Sequence, residues 1–352
     1  MKTVTSAKIQ RLEALIAGAA RACVVVHTHP DGDAVGSGTA LLAYLRDCRG
    51  LQADLLLPDP AAGILDFLVP ESGVTVASAD PAGALARLAG CDLLFCLDMN
   101  GPGRAGELEA PLRAVSARKV LVDHHPHPDE AWFDLAFSET EVSSASELLY
   151  HVLLALPGVG RADRLPLEVL TPLMAGMTAD TNNFANSVFP STLGMASELL
   201  AAGVDRDALL DALFNSYGEN RFRAMGCYLE RLMHITPDGV AYAILDRRTQ
   251  EALGIGEGDT EGFVNLPLGI GRVRMSLFLR EDDGHFRVSI RSKRGVAANR
   301  LAAESFHGGG HLCAAGGKLF FPQDIPAREM AAQYIETVTA RFMRNEAPSQ
   351  DR

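Results

Sequence analysis

The chain has 352 residues, 47% of them hydrophobic and 22% charged, which is the balance of an ordinary soluble globular protein and long enough for two cores. Its 44 acidic and 32 basic residues give a net charge of −12. That charge excludes tight electrostatic tracking along long or duplex nucleic acid, and leaves short polyanions if metals or a local pocket supply positive charge. No uncharged apolar run reaches the roughly 18 residues needed to span a bilayer. Six cysteines without C-x-x-C spacing read as reduced thiols, so a cytoplasmic protein without membrane association is expected.

Residues 8–22 are rich in small side chains towards their end. Arg11, Glu13 and Arg21 interrupt them and Leu12, Leu15 and Ile16 keep helical spacing, so the stretch reads as an amphipathic helix rather than a signal peptide. Cys23-Val24-Val25-Val26 reads as a buried strand that delivers His27-Thr28-His29-Pro30-Asp31-Gly32-Asp33, and residues 39–46 return to helical spacing. Further strands are predicted at 53–57 and 74–76, with short helical stretches at 64–68 and 81–88. A longer apolar strand at 91–97 ends at Asp98, and one at 119–122 ends at Asp123-His124-His125. Three strands thus present acids or histidines at their C-terminal ends, the layout of a doubly wound, mainly parallel sheet with a site along one edge.

Residues 143–156 and 165–179 have helical spacing, and the second stretch runs into Asp180-Thr181-Asn182-Asn183-Phe184-Ala185. From 192 to about 234 the chain reads as all helical, broken and capped at Gly203-Val204-Asp205. The composition changes at Thr236-Pro237-Asp238-Gly239. Strands are then expected at 240–245, 273–279 and 286–290, with Glu281-Asp282-Asp283-Gly284 as a hairpin turn. The expectation is an α/β protein: a metal-binding catalytic domain at 1–190, a helical linker at 191–235, a smaller α+β domain at 236–345 and a frayed tail at 346–352.

The chemistry concentrates in His27, Asp31, Asp33, Asp98, His124 and Asp180, with Asp123 and His125 beside them. Packed without a partner, these carboxylates would repel and raise each other's pKa, a cost that a bound cation reverses. Six such ligands can hold two divalent ions that share one carboxylate, roughly 3.5–4 Å apart. Mixed imidazole and carboxylate donors suit manganese, and less well magnesium or zinc. His29 and His127 read as solvated loop residues.

His27-x-x-Pro-Asp31-x-Asp33, Asp98, Asp123-His124-His125 and Asp180-Thr181, taken in order, resemble the four motifs of the DHH phosphoesterases. These include RecJ exonucleases, oligoribonucleotide and pAp phosphoesterases, cyclic-dinucleotide phosphodiesterases and the related family II pyrophosphatases. Arg291-Ser292 and His307-Gly308-Gly309-Gly310-His311 resemble the DHH-associated C-terminal domain. The resemblance implies one ion on His27, Asp31 and Asp98 and another on Asp33, Asp98, His124 and Asp180, with Asp98 as the bridge. It implies that Asp123 orients His124, that His125 faces the phosphate, and that the active site lies in the interdomain cleft.

The glycines have a physical reading as well. Gly308, Gly309 and Gly310 allow backbone amides to approach an anion, with His311, Arg291 and Ser292 as substrate contacts and Arg294 as a weaker one. Where many relatives have a Gly-Ser-Phe-Arg type of sequence after the Asp180 position, this chain has Asn182 to Ala185, and Arg104 is the candidate to replace the missing arginine.

The compact two-domain length most resembles the bacterial oligoribonuclease and pAp-phosphatase branch. The expected substrates are short RNA, dinucleotides such as pApA, and the mononucleotide bisphosphate 3′-phosphoadenosine 5′-phosphate. A homodimer is compatible with that resemblance. The competing readings are an inorganic pyrophosphatase, whose relatives lack the His-Gly-Gly-Gly-His sequence, and a metal-dependent nucleotide sensor without turnover, which predicts loss of a ligand.

Overall fold

The computed structural model describes residues 1–256 and 258–346, without the side chain of His311. The predicted tail at 346–352 therefore lies almost wholly outside the described residues. The chain divides into two compact units, Met1–Ser216 and Tyr217–Arg352.

In the first unit, α1 (Ser6–Gly18) is capped by Thr5, whose side chain accepts from the Lys8 amide, and it buries Ile9, Leu12 and Ile16. Next come β1 (Arg21–Val25), α2 (Gly32–Ala43), β2 (Gln52–Leu57), β3 (Val74–Val76), α3 (Pro81–Gly90) and β4 (Leu93–Leu97). They are followed by α4 (Glu109–Ala114), β5 (Arg118–Asp123) and β6 (Leu135–Ser138). The strands form one parallel sheet in the order β3-β2-β1-β4-β5-β6. The chain winds outwards from β1 in one direction and from β4 in the other, so the order reverses between these two neighbours.

Alternate strand residues enter different cores, as the twofold repeat of a strand requires. Val24, Leu55, Phe95 and Val120 pack on one face, and Cys23, Leu56, Leu94 and Leu121 on the other. With both faces covered, the strands are nearly continuous apolar runs, which is why they were legible. The predicted first strand starts two residues early, at Arg21. The alternating β6 is too short to stand out in the sequence.

The unit is completed by α5 (Ala145–Ala155), α6 (Leu167–Asp180), α7 (Pro190–Ala201) and α8 (Arg206–Phe214). The division at 216 falls inside the stretch read as a helical linker: α7 and α8 belong to the first unit, and α9 (Glu219–Cys227) opens the second. Helices α2 and α6 touch backbone to backbone. A Cβ on Gly36 would lie 2.5 Å from the Pro172 carbonyl oxygen, and one on Gly32 would lie 2.4 Å from the Ala179 Cβ.

The second unit continues with β7 (His234–Ile235), β8 (Val240–Leu245), α10 (Arg247–Leu253), β9 (Met275–Asp282) and β10 (His285–Ser292). It ends with α11 (Ala298–Ser305), β11 (Gly309–His311), β12 (Ala314–Phe320) and α12 (Ala331–Asn345). The sheet order is β11-β12-β10-β9-β8-β7, parallel only between β8 and β9. The predicted hairpin turn tightens to Asp283-Gly284, with Gly284 at φ 72°. Helix α12 has no counterpart in the sequence reading; it buries Ile335, Val338, Phe342 and Met343 in the core of this unit.

Candidate metal centre

Five segments of the first unit meet at the C-terminal ends of β1, β4 and β5, beside the point where strand order reverses. That is where open parallel sheets bind ligands. His27, 5% exposed, follows β1. Its Nδ1 donates to the Thr28 carbonyl at 2.8 Å. Its Nε2 faces Asp98 Oδ2 at 3.3 Å and Asp31 Oδ1 at 3.7 Å. Asp31 caps α2, its Oδ1 accepting from the amides of Asp33 and Ala34, and it is open to solvent on its other side.

Asp33, in the first turn of α2, is 1% exposed. Its two oxygens accept from the amides of Ala145 and Ser146, at 2.6 and 2.9 Å, at the N-terminus of α5. Asp98 turns out of β4 with φ 54°, a conformation in which a non-glycine residue is uncommon. Its Oδ1 lies 3.3 Å from His124 Nε2 and 3.5 Å from His125 Nδ1. Asp180 closes α6 and brings Oδ2 to 3.7 Å from His124 Nε2.

These groups perturb one another in the ways that mark a cation site. Burial, reinforced by the Asp98 charge, pushes Asp33 up to about 7, and burial together with Asp33 holds Asp180 well above the usual carboxylate range. Burial also works against the Asp98 anion, but hydrogen bonds from His124 and His27 outweigh it and keep Asp98 below that range. Burial opposes the His124 imidazolium, yet the neighbouring Asp98 pushes the ring up to about 10. Four carboxylates around a small volume, served only by two imidazoles and a few amides, leave negative charge that a divalent cation neutralises.

Donor atoms within 4.8 Å of one another form three sets: His27, Asp31 and Asp98; Asp33, His124 and Asp180; and Asp98, His124 and His125. Asp98 and His124 each occur in two. The Asp98 Oδ1 is buried between the rings of His124 and His125. The donor chemistry therefore fits divalent metal, and all six residues expected as ligands are drawn together. His29 and His127 are exposed in loops.

One expectation is corrected. Asp123 was expected to orient His124, but its Oδ1 accepts from His125 Nδ1 at 2.7 Å. Arg104 Nη1 lies 2.8 Å from His125 Nε2 and 3.4 Å from the Asp98 carbonyl. Nδ1 thus donates to Asp123 and Nε2 accepts from Arg104, so both ring nitrogens are engaged.

Sequence reasoning also missed the support behind Asp33. Glu147 is fully buried, and its Oε2 accepts from the Ser143 amide at 2.9 Å, the Ser143 hydroxyl at 2.5 Å and the Thr192 hydroxyl at 2.7 Å. Ser144 caps α5 through the Glu147 amide. One carboxylate thus ties the helix end that holds Asp33 to the start of α7. The Ser144-x-x-Glu147 spacing was the available signal.

Within the second unit the other expected contacts are mostly engaged in the fold. Arg291 is half-buried, with Nη1 donating to the carbonyls of Ile290 at 3.0 Å and Ala315 at 3.4 Å; burial lowers its pKa and Glu261 opposes that. The Ser292 hydroxyl, expected on substrate, donates to the Val296 carbonyl at 2.6 Å. Gly309 and Gly310 lie in the edge strand β11 rather than in an open loop. A Cβ on Gly308 would lie 1.9 Å from the Gly316 carbonyl oxygen and one on Gly310 2.6 Å from that of Ala314, whereas Gly309 has open space. The side chain of His311 lies outside the described residues.

Residues 21–177 match the DHH family, N-terminal domain, and residues 239–336 match the DHHA1 domain. The bifunctional oligoribonuclease and PAP phosphatase NrnA of Thermus thermophilus is 31% identical over 84% of this chain and 83% of that protein. The chain belongs to the DHH family. The Bacillus subtilis protein of the same name is 25% identical over 84% of this chain and 89% of its own length. Among solved DHH-like structures, an exopolyphosphatase-related protein from Bacteroides fragilis matches 99% of this chain and 100% of its own, at 30% identity and a TM-score of 0.91. RecJ of Thermus thermophilus, solved with Mn2+, shares the fold at 13% identity and a TM-score of 0.51, over 96% of this chain and 55% of its own.

Proposed function

We propose that this chain is a two-metal phosphoesterase that hydrolyses short oligoribonucleotides, dinucleotides such as pApA, and 3′-phosphoadenosine 5′-phosphate. The observation that carries the proposal is the convergence of three donor sets on Asp98 and His124. The oligoribonuclease and PAP phosphatase activities of the Thermus and Bacillus relatives suggest the substrate class. The first unit is the catalytic domain and the second the substrate-binding domain.

His27, Asp31 and Asp98 would hold one ion, and Asp33, Asp98, His124 and Asp180 the other, most favourably manganese given the mixed donors. When bound, such ions supply a nucleophilic water of lowered pKa and positive charge against the phosphoryl oxygens.

The protein's own residues do the rest. Asp31, Asp33 and Asp98 are held by amides or imidazoles before any ligand arrives, so little reorganisation is left for the reaction. Asp123 fixes the His125 ring, and once Arg104 turns from Nε2 to the phosphate and the ring takes up a proton there, His125 donates from Nε2 to a phosphoryl or leaving oxygen while Asp123 stabilises the charge. Arg104, alongside, adds a fixed positive charge against the same phosphate. In the second unit we assign Arg291, Ser292, the Gly308–Gly310 backbone and His311 to substrate binding. All six cysteines are free, which suits the reducing cytoplasm to which we assign the chain, and no helix among the described residues is long and apolar enough to cross a membrane.

The test is hydrolysis of 5′-labelled RNAs from two to about two dozen nucleotides, with pAp and pyrophosphate alongside, in manganese and in chelator; the preference for short RNA follows from the chain's charge. Metal-dependent turnover of the shortest RNAs is expected. Equal rates at all lengths, or turnover of pyrophosphate alone, would sink the proposal.

A further inference from the structure

At the opposite edge of the first sheet, the N-terminal ends of β1 and β2 border an open groove of about 600 Å³. It is lined by Arg21, Arg46, Arg87 and Asp54, with Leu51, Ala53 and Ala86 as apolar wall. Since the strands are parallel, the length of β1 separates it from the metal centre by at least ~17 Å.

The three guanidinium groups are underused. Arg21 donates from Nη2 to Gln52 Oε1 at 3.1 Å, which leaves its other nitrogens without a protein acceptor. Arg46 is anchored by Nε on the Ala53 carbonyl and Nη1 on the Ser72 carbonyl, and its Nη2 reaches only to 3.8 Å from Asp54 Oδ1. Arg87 donates from Nη1 to the Gly83 carbonyl at 3.4 Å, and its Nε lies 3.4 Å from that same Asp54 oxygen, buried without a hydrogen bond. Asp54 is the one acid among the lining residues and faces Arg46 and Arg87, while Asp92, beside Arg21, accepts from the Ala20 and Arg21 amides. Arg46 and Arg87 also sit near the ends of α2 and α3, where helix dipoles offset up to about half a charge each. The lining residues of the groove are nonetheless basic, three arginines to one aspartate, in a chain whose net charge is −12.

We propose that this groove is a second anion site, which takes a phosphate dianion, either free or as the terminal group of a nucleoside 5′-monophosphate. Arg46, held by two backbone carbonyls, is the fixed wall, and Arg21 and Arg87 close on the anion with their spare N–H groups. Guanidinium groups match phosphate oxygens in pairs, and charge-assisted bonds of this kind are the strong ones. The apolar wall has room for the nucleoside. The site rests on the geometry of this groove alone and does not depend on the proposed catalytic activity.

The experiment is hydrogen exchange of the full metal-loaded chain, titrated with inorganic phosphate, adenosine 5′-monophosphate and adenosine, followed in the backbone of residues 49–54 and 84–91. Phosphate and the nucleotide should slow exchange there, and adenosine should not. Tighter protection by the nucleotide assigns the site to nucleotides, and equal protection assigns it to free phosphate. Arg21→Gln and Arg87→Gln should each weaken the protection about tenfold, with melting temperature and turnover of short RNA unchanged. Arg21 is exposed, so its variant keeps the test open if Arg87→Gln fails to fold. No protection up to about 10 mM ligand, or protection that both folded variants retain, would overturn the proposal.

Discussion

The metal centre and the glycine-rich hairpin are both marked by motifs, but their residues do different things. At the metal centre the side chains of five segments point into one volume, and their neighbours hold them there at a cost in buried charge. In the hairpin, the glycines make room for packing, the Ser292 hydroxyl supports a turn, and the Arg291 guanidinium rests on two carbonyls. A motif can thus mark converging donors or the tight backbone geometry that supports a surface, and substitution separates the two.

The largest effect is expected for Asp98→Ala. It removes a donor from two sets, so binding of metal by calorimetry and turnover should fall by more than the ~10–100-fold typical of a supporting partner, while circular dichroism still reports a folded chain. Retained manganese-dependent turnover would break the comparison at its first term. Glu147→Gln should cost about 10–100-fold in metal affinity by loosening the α5 end that holds Asp33. If it lowers the melting temperature but leaves metal affinity intact, Glu147 is only a packing group.

Gly308→Ala should destabilise the second unit by about 1–3 kcal/mol, because its methyl meets a carbonyl oxygen. Metal binding should be unchanged. Gly309→Ala has open space and should stay within about 0.5 kcal/mol. If it nonetheless raises the KM for short RNA, the hairpin touches substrate at that position.

pH sharpens the same contrast without mutation. In the metal-free chain Asp33 sits near 7 against 3.8 for the ordinary group, so its stabilising contribution is complete below 3.8 and gone once the pH passes about 7. His124 sits near 10 against 6.5, and its contribution is complete below 6.5 and lost as pH rises through about 10. The melting temperature of the metal-free chain should therefore fall across this range. Metal affinity should rise through pH 7, as Asp33 gives up its proton to become a ligand. A flat affinity profile would show that Asp33 does not bind the ion.

The sequence made legible what repeats or stands alone in composition. The parallel strands were readable because burial on both faces makes them apolar throughout, and the strand-end acids because nothing in a soluble loop requires them. Asp123 was assigned to the wrong histidine because adjacent residues leave a strand on opposite sides, and only the backbone path after β5 shows that His125 turns back to it. Glu147 was missed because a buried carboxylate bonded to Ser143 and Thr192 looks, in sequence, like any helix start. Helix α12, amphipathic and remote from every motif, was passed over although its spacing was in plain view.

The backbone contact between α2 and α6 sets a tolerance. Asp31 and Asp33 ride on the first helix and Asp180 on the second, so the gauge between these carboxylates is the thickness of a glycine. A methyl at Gly36 meets a carbonyl oxygen at 2.5 Å, and one at Gly176 would come within 2.9 Å of Asp33 Oδ1. Either would force the helices apart by more than the ~0.2 Å within which metal–ligand distances are held. Side chains that never meet a metal therefore decide whether one fits, and a variant with every ligand intact can still be the wrong width.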